Sequence, residues 1–308
     1  MKKLTKVLPM SDGHQIFVRI YEPDAKPIGH FHILHGMAEH GDRYDAFAIN
    51  MCEQGYFVTA HDHRGHGKTV ELNGKLGYFA DDNGFERVVD DVSELIQFFR
   101  YDFDETKTIL FGHSMGSFIA RRYIQTYNDI DKVILCGTGA TTFLHQIGNA
   151  LSRTLCLVQG KTVPSAIMSE LSFGSFNKGF PDVKTAFDWL CSNEEEIEAY
   201  IKDPTCGFVP TNQFFVDLTD GLLSINRKNE MVNIRKDIPV LLISGSEDPV
   251  GNKGAGVFKV ANALKKVGLQ DVVVYLFEGM RHEILKEKNK EHVFHVVSRW
   301  LENDRKRN

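Results

Sequence analysis

The sequence has little cysteine, tryptophan or proline: five, two and nine residues in a chain of 308. Cys52, Cys136, Cys156, Cys191 and Cys206 are odd in number, widely scattered and without a C-x-x-C pair. That pattern argues against a disulfide framework or a cysteine-based zinc module and suits a chain kept reduced. Long runs of one charge are also missing, and 36 basic residues against 41 acidic ones give a net charge of -5. Without a basic footprint, nucleic acid is not an expected partner. No apolar run reaches bilayer-spanning length. Behind Lys2 and Lys3 the apolar stretch is broken by Pro9, Asp12 and Gly13, so a secretory leader is not expected. A cytoplasmic protein is expected, with peripheral membrane or micelle contact left open and no obligate protein partner implied. Internal repeats and low-complexity tracts are absent as well.

What is present is ample apolar material, 42% of residues, in an alternating rhythm of short apolar runs and amphipathic stretches. A hairpin about Ser11-Asp12-Gly13 leads into a strand over 15–21 and a buried strand over 30–34. A helix over 42–54, a strand over 57–60, a glycine-rich segment over 62–77 and a helix over 83–101 follow. In that helix Val88, Val89, Val92, Leu95, Ile96 and Phe99 form one stripe. Strands over 108–111 and 132–135 flank a helix over 117–127. After a helical, loop-rich stretch the rhythm resumes with a strand over 239–243, a helix over 253–267, a strand over 272–277 and a helix over 290–302. Alternation of this kind predicts a mainly parallel sheet with helices on both faces. The interruption reads as an inserted helical cap. The expected division is a core of residues 1–140 and 236–308 with a cap of residues 141–235, and the tail over 303–308 is expected to fray.

The most informative segment is Gly112-His113-Ser114-Met115-Gly116, directly after the apolar run over 108–111. A serine framed by glycines between a strand and a helix has the pattern of a nucleophile elbow. The chain folds back on itself there, so the positions two before and two after the serine must be tiny. The following helix aims its free amides and positive dipole end at the space above Ser114, where a tetrahedral oxyanion would form. The Met115 amide is the natural first oxyanion donor.

Ser114 needs a base, and that base needs a third group to hold its tautomer. Ser244-Gly245-Ser246-Glu247-Asp248-Pro249 places carboxylates after the 239–243 strand, and Glu278-Gly279-Met280-Arg281-His282 places an imidazole after the 272–277 strand. In a parallel sheet these loops share the elbow's edge. Asp248 is favoured as the acid, with Glu247 its rival. Of the 13 histidines, His282 is favoured because it sits on such a loop, whereas His292 and His295 fall inside the last helix. The chain order Ser, Asp, His fits the motif. The second oxyanion donor should come from His35-Gly36-Met37-Ala38-Glu39-His40, where Gly36 permits close approach and the Met37 amide points in. The Met37 and His35 side chains themselves have packing as an equal alternative.

His61-Asp62-His63-Arg64-Gly65-His66-Gly67 invites a metal reading. The H-x-H-x-D-H pattern of binuclear metallohydrolases needs an acid where Gly65 stands, and no complementary ligand cluster follows. No metal is expected. The segment reads instead as a turn in which Asp62 and Arg64 bond backbone.

Taken together, His35-Gly36-Met37-Ala38-Glu39, Asp62-His-Arg-Gly-His-Gly67, Gly112-His-Ser-Met-Gly116, Gly245-Ser-Glu-Asp248 and His282 resemble the α/β-hydrolase superfamily, and within it the monoacylglycerol lipase and lysophospholipase-like branch. The resemblance implies a cofactor-free carboxylester hydrolase that forms an acyl-enzyme. Ser114 would be its nucleophile, His282 its base and acid, Asp248 the orienter, and Met37 with Met115 the oxyanion amides. Met37 stands where many relatives carry a small residue, and Thr69 replaces a frequent serine. In the cap, Phe143, Phe173, Phe176, Phe208 and Phe214, with Phe180, Phe215, Met168 and Leu171 nearby, are candidates for an acyl tunnel or for the cap's own core. The expected substrate is a lipophilic monoester such as a monoacylglycerol or lysophospholipid. The alternatives are a serine aminopeptidase of the proline iminopeptidase type, which would recruit Glu194-Glu195-Glu196 for a substrate ammonium, and a non-catalytic binding protein on the same scaffold.

Overall fold

The computed structural model describes residues 1–100 and 107–302. Tyr101, the last residue of the helix expected over 83–101, and the tail over 303–308 lie outside the described residues. An eight-stranded sheet runs through the molecule in the order β1-β2-β4-β3-β5-β6-β7-β8. The strands are β1 (Lys2–Pro9), β2 (Gln15–Glu22), β3 (Gly29–Leu34), β4 (Phe57–His61), β5 (Lys107–His113), β6 (Lys132–Cys136), β7 (Val240–Gly245) and β8 (Val272–Phe277). β1 pairs β2 and β2 pairs β4 antiparallel, and every other pairing is parallel. A parallel strand inside a covered sheet buries both faces, so it reads as an unbroken apolar run. In β7, Val240 and Leu242 join one core cluster while Leu241 and Ile243 join the other. β6 divides in the same way, with Val133 and Leu135 against Ile134 and Cys136.

Each face is covered by helices whose apolar stripes match. α1 (Asp45–Glu53) contributes Phe47, Ala48 and Met51 to one side, joined by Val293, Phe294 and Val297 of α11 (Lys290–Glu302). The other side receives Val88, Val89, Val92 and Ile96 of α3 (Gly84–Arg100), Ile119 and Tyr123 of α4 (Met115–Thr126), and Val257, Val260 and Leu264 of α10 (Ala255–Lys266). A further helix, α2 (Gly67–Asn73), lies inside the stretch expected to be only glycine-rich loop. It ends at Gly74 in the left-handed region, φ 78°, a conformation glycine adopts without a Cβ penalty. A 3-10 turn at Gly41–Tyr44 precedes α1, and α4 begins at Met115, two residues ahead of expectation.

Residues 141–235 carry α5 (Phe143–Gln159), α6 (Ala166–Phe173), α7 (Glu194–Lys202), α8 (Asn212–Ser224) and α9 (Lys228–Met231). They contribute no sheet strand, only one isolated bridge between Pro164 and Thr211. Phe214 and Phe215 of α8 reach the main core, whereas Trp189, Leu190, Cys191, Ile197, Tyr200 and Cys206 form a cluster of their own. Several apolar side chains of α5 and α6 face outward, including Phe143, Leu144, Leu157, Val158 and Leu171. Among the described residues no helix is long and apolar enough to cross a membrane.

Candidate active site

The elbow takes its shape from two glycines. A Cβ on Gly112 would stand 2.2 Å from the Gly116 carbonyl oxygen, and one on Gly116 would stand 2.3 Å from the Leu34 carbonyl oxygen. No larger residue fits either position. Ser114, between them, is held at φ 51°, ψ -117° as the residue capping α4. A non-glycine residue there carries roughly 1–3 kcal/mol of backbone strain. Two hydrogen bonds hold it in place: Ser114 N–H to the Cys136 carbonyl at 2.9 Å, and Ser117 Oγ–H to the Ser114 carbonyl at 2.6 Å. Ser114 is partly exposed while its immediate neighbours are buried, so the turn presents the hydroxyl.

The imidazole and its acid meet at the same edge. His282 Nδ1 lies 2.9 Å from Asp248 Oδ1, with both side chains buried. Asp248 also accepts the Val250 amide at 2.9 Å and the Ser244 hydroxyl at 2.9 Å. Burial pushes this carboxyl up, but His282, Ser244 and the Val250 amide outweigh it and hold Asp248 below its ordinary value. Glu247, the rival, turns away to Lys253 at 2.5 Å. The His282 ring packs 4.7 Å from the His113 ring, one residue before Ser114. A Cβ on Gly137 would lie 2.9 Å from His282 Cε1, and Gly137 follows the Cys136 carbonyl that holds Ser114.

The loop after β3 closes the other side. A Cβ on Gly36 would lie 3.2 Å from the Ser114 Cβ, so this loop touches the elbow. Met37 is partly buried against the main core, and its amide takes no hydrogen bond among the described residues. The Met115 amide is the first of α4 and so has no partner within that helix. Glu39 accepts the Gly36 amide at 2.5 Å and the Tyr44 hydroxyl at 2.7 Å, and contacts His113 Nδ1 at 3.3 Å. Arg43 joins Glu39 to Glu283, the neighbour of His282. Burial pushes His113 down, and Glu39 more than offsets this, raising it. No sequence motif marks this Glu39–Arg43–Glu283 set as a whole. Its local signs are the i,i+4 spacing of Glu39 and Arg43 and the position of Glu283 beside His282.

Comparison with known proteins fits this geometry. A family model described as "Serine aminopeptidase, S33" (Hydrolase_4) matches residues 25–289. The chain belongs to this family of α/β-hydrolases. It is 26% identical over 293 residues to a monoacylglycerol lipase of Mycolicibacterium smegmatis, covering 94% of this chain and 93% of the relative. It is 25% identical over 296 residues to the human monoglyceride lipase, covering 94% and 88%. A thermostable carboxyl esterase from Bacillus coagulans, solved in complex with glycerol, superposes with a TM-score of 0.92 at 27% identity, covering 98% and 99%. The chain is a serine hydrolase of the carboxylic ester class.

Within this α/β-hydrolase the cap aromatics separate into distinct environments. Phe173 and Phe176 pack on Trp189, which in turn lies 5.2 Å from the His282 ring. Trp189, which no sequence motif marks, thus packs beside the imidazole from the cap. Phe208 lies near His66 at 5.3 Å, and Phe143 is 70% exposed on α5. Phe214 is fully buried against Phe79 and Phe215. The histidine-rich segment holds a second surprise. Asp62 accepts the Gly41 and Lys68 amides at 2.8 Å each, as a structural turn should. Arg64, expected to bond backbone, instead grips the carboxylates of Asp91 and Asp12, because a buried guanidinium is better satisfied by charge.

Proposed function

We propose that the protein hydrolyses a lipophilic monoester, a monoacylglycerol or lysophospholipid, through Ser114, His282 and Asp248. The observation that carries this reading is the buried 2.9 Å contact between His282 Nδ1 and Asp248 Oδ1 beside the strained Ser114 elbow. Asp248 keeps the His282 proton on Nδ1, leaving Nε2 free to take the Ser114 proton as the hydroxyl attacks the ester carbonyl. The oxyanion settles on the Met37 and Met115 amides. His282 then returns the proton to the departing alcohol, and water, activated by the same imidazole, releases the acid from the acyl-enzyme. We take residues 1–140 and 236–308 as the core that carries this chemistry and residues 141–235 as the cap that selects the acyl chain, with Phe173, Phe176 and Phe208 as its wall.

The ester reading is favoured over the aminopeptidase reading by the cap's acids. Glu194 pairs with Lys184 at 2.6 Å and Glu196 with Lys286 at 3.2 Å, so neither is a free partner for an ammonium. The relatives named as monoacylglycerol and monoglyceride lipases point the same way. The test is a purified-protein assay of a monoacylglycerol series, a lysophospholipid and an aminoacyl arylamide. Turnover of the esters should rise with acyl length, by roughly fourfold in kcat/KM per added buried CH2 until the wall is filled. Cleavage of the arylamide alone would sink the reading.

A further inference from the structure

Away from the elbow, three side chains of different chemistry converge on one point. His40 Nε2 lies 2.8 Å from Asp203 Oδ2, and Cys206 completes a set whose ligating atoms all lie within 4.8 Å of one another. They come from two separate segments. His40 ends the loop after β3, and Asp203 and Cys206 belong to the turn after α7, where the Cys206 amide donates to the Asp203 carbonyl at 3.0 Å. The turn is itself pinned to the loop by the Gly207 amide and the Tyr200 hydroxyl, which donate to the Ala38 carbonyl at 2.9 and 3.0 Å.

We propose that His40, Asp203 and Cys206 bind one zinc-type divalent cation that ties the loop after β3 to the cap. Imidazole nitrogen, carboxylate oxygen and thiolate sulfur are the donor set of a four-coordinate zinc-type site with one position left for water. Asp203 is already oriented for the role. Its Oδ1 accepts the Thr205 amide at 2.8 Å and the Thr205 hydroxyl at 2.6 Å, which leaves Oδ2 facing the imidazole. The His40 nitrogen that faces Asp203 is Nε2, so it is Nε2 that would take the ion. The Cys206 thiol is buried and makes no hydrogen bond among the described residues. The nearby Arg43 does not repel a cation outright, since Glu39 and Glu283 both pair with it and leave the group net negative.

The geometry asks for small movements. Zinc bonds of about 2.0–2.3 Å space tetrahedral ligands about 3.3–3.7 Å apart, so the His40–Asp203 contact opens slightly and Cys206 moves by about 1 Å at most. Binding releases the Cys206 thiol proton to solvent as the thiolate takes the ion. Sequence spacing gave no sign of this set, because 163 positions separate His40 from Asp203.

The test is a cobalt(II) titration of the full, reduced, chelator-treated chain. A thiolate-to-cobalt absorption in the near ultraviolet, with the visible bands of tetrahedral cobalt, should saturate at one equivalent and vanish when zinc is added. Cys206→Ala should lose the near-ultraviolet band, and His40→Gln should lose saturable binding, while both variants melt in chelator within a few degrees of the native chain. No saturable band, or a band that persists in Cys206→Ala, overturns the proposal. This readout does not depend on turnover, so it stands or fails apart from the hydrolase reading. Only the second arm rests on that reading: zinc should lower ester turnover several-fold in the native chain, and inhibition of equal size in Cys206→Ala would place the effect elsewhere and overturn the tie to the loop.

Discussion

Two groups of buried imidazoles lie in this molecule, and their partners set them apart. At the C-terminal rim of the sheet, His282 faces Asp248, His113 faces Glu39 and His40 faces Asp203. Beneath the rim runs a ladder without carboxylates. His30 and His32 both bond the Thr59 hydroxyl, at 2.7 and 2.6 Å, His32 meets His61 at 3.0 Å, and His61 meets His63 at 2.9 Å. The ladder ends where the His63 amide donates to His35 Nε2 at 2.9 Å. Burial is nearly complete in both groups, and in the ladder it is the leading cause that pushes the imidazoles down, His30 and His63 to about 3 and His66 beside them to about 4. Glu39 raises His113, whereas the ladder imidazoles, with no carboxylate in hydrogen-bond reach, stay neutral structural brackets.

The sharpest way to break this comparison is to remove a rim carboxylate. Asp248→Asn should lower kcat by about 10⁴-fold with the fold intact, because the imidazole loses the partner that fixes its tautomer. Circular dichroism beside ester kinetics separates chemistry from folding. Wild-type turnover in that variant would place the acid elsewhere.

The ladder should show itself in acid. Its imidazoles stay neutral in the native chain but bind protons when unfolded, so stability present above pH ~6.5 is lost as pH falls toward the native values near 3 to 4. At pH 5 each such group costs about 2 kcal/mol, and three together approach the stability of an ordinary domain, about 5–15 kcal/mol. Urea denaturation at stepped pH should show a steep loss between pH 6 and 4, and a flat profile would remove the neutral-bracket reading. Breaking one rung should act on stability alone. His32→Leu leaves the Thr59 hydroxyl and the His61 ring each short of a partner and should cost about 1–3 kcal/mol, with kcat changed less than threefold. A large kcat loss there would mean that the ladder serves the chemistry. The smallest effect belongs to Glu247→Gln, which removes an exposed ion pair with Lys253 and should leave both turnover and stability near wild type.

Much of the fold was legible because buried parallel strands announce themselves as short apolar runs, as over 108–111 and 240–243. α2 was not, since Gly67 and Asn73-Gly74 bracket it with loop-forming residues and its seven positions show no clear stripe. Ser114, Asp248 and His282 stood out because each lies in a short motif at a strand end. Glu39–Arg43–Glu283 and Trp189 did not, because their meaning lies in contacts across 240 positions in the one case and between the cap and His282 in the other. Composition also left Phe214 and Phe173 alike, since a phenylalanine carries no mark of whether it joins the main core or the Trp189 cluster.

The measurement that bears most directly on the hydrolytic claim is covalent labelling with an active-site phosphonate, followed by peptide mapping. A single adduct on Ser114, formed orders of magnitude more slowly in His282→Gln and Asp248→Asn, is the expected result. An adduct on another residue, or labelling of Ser114 at the same rate without the imidazole, would contradict the proposed chemistry.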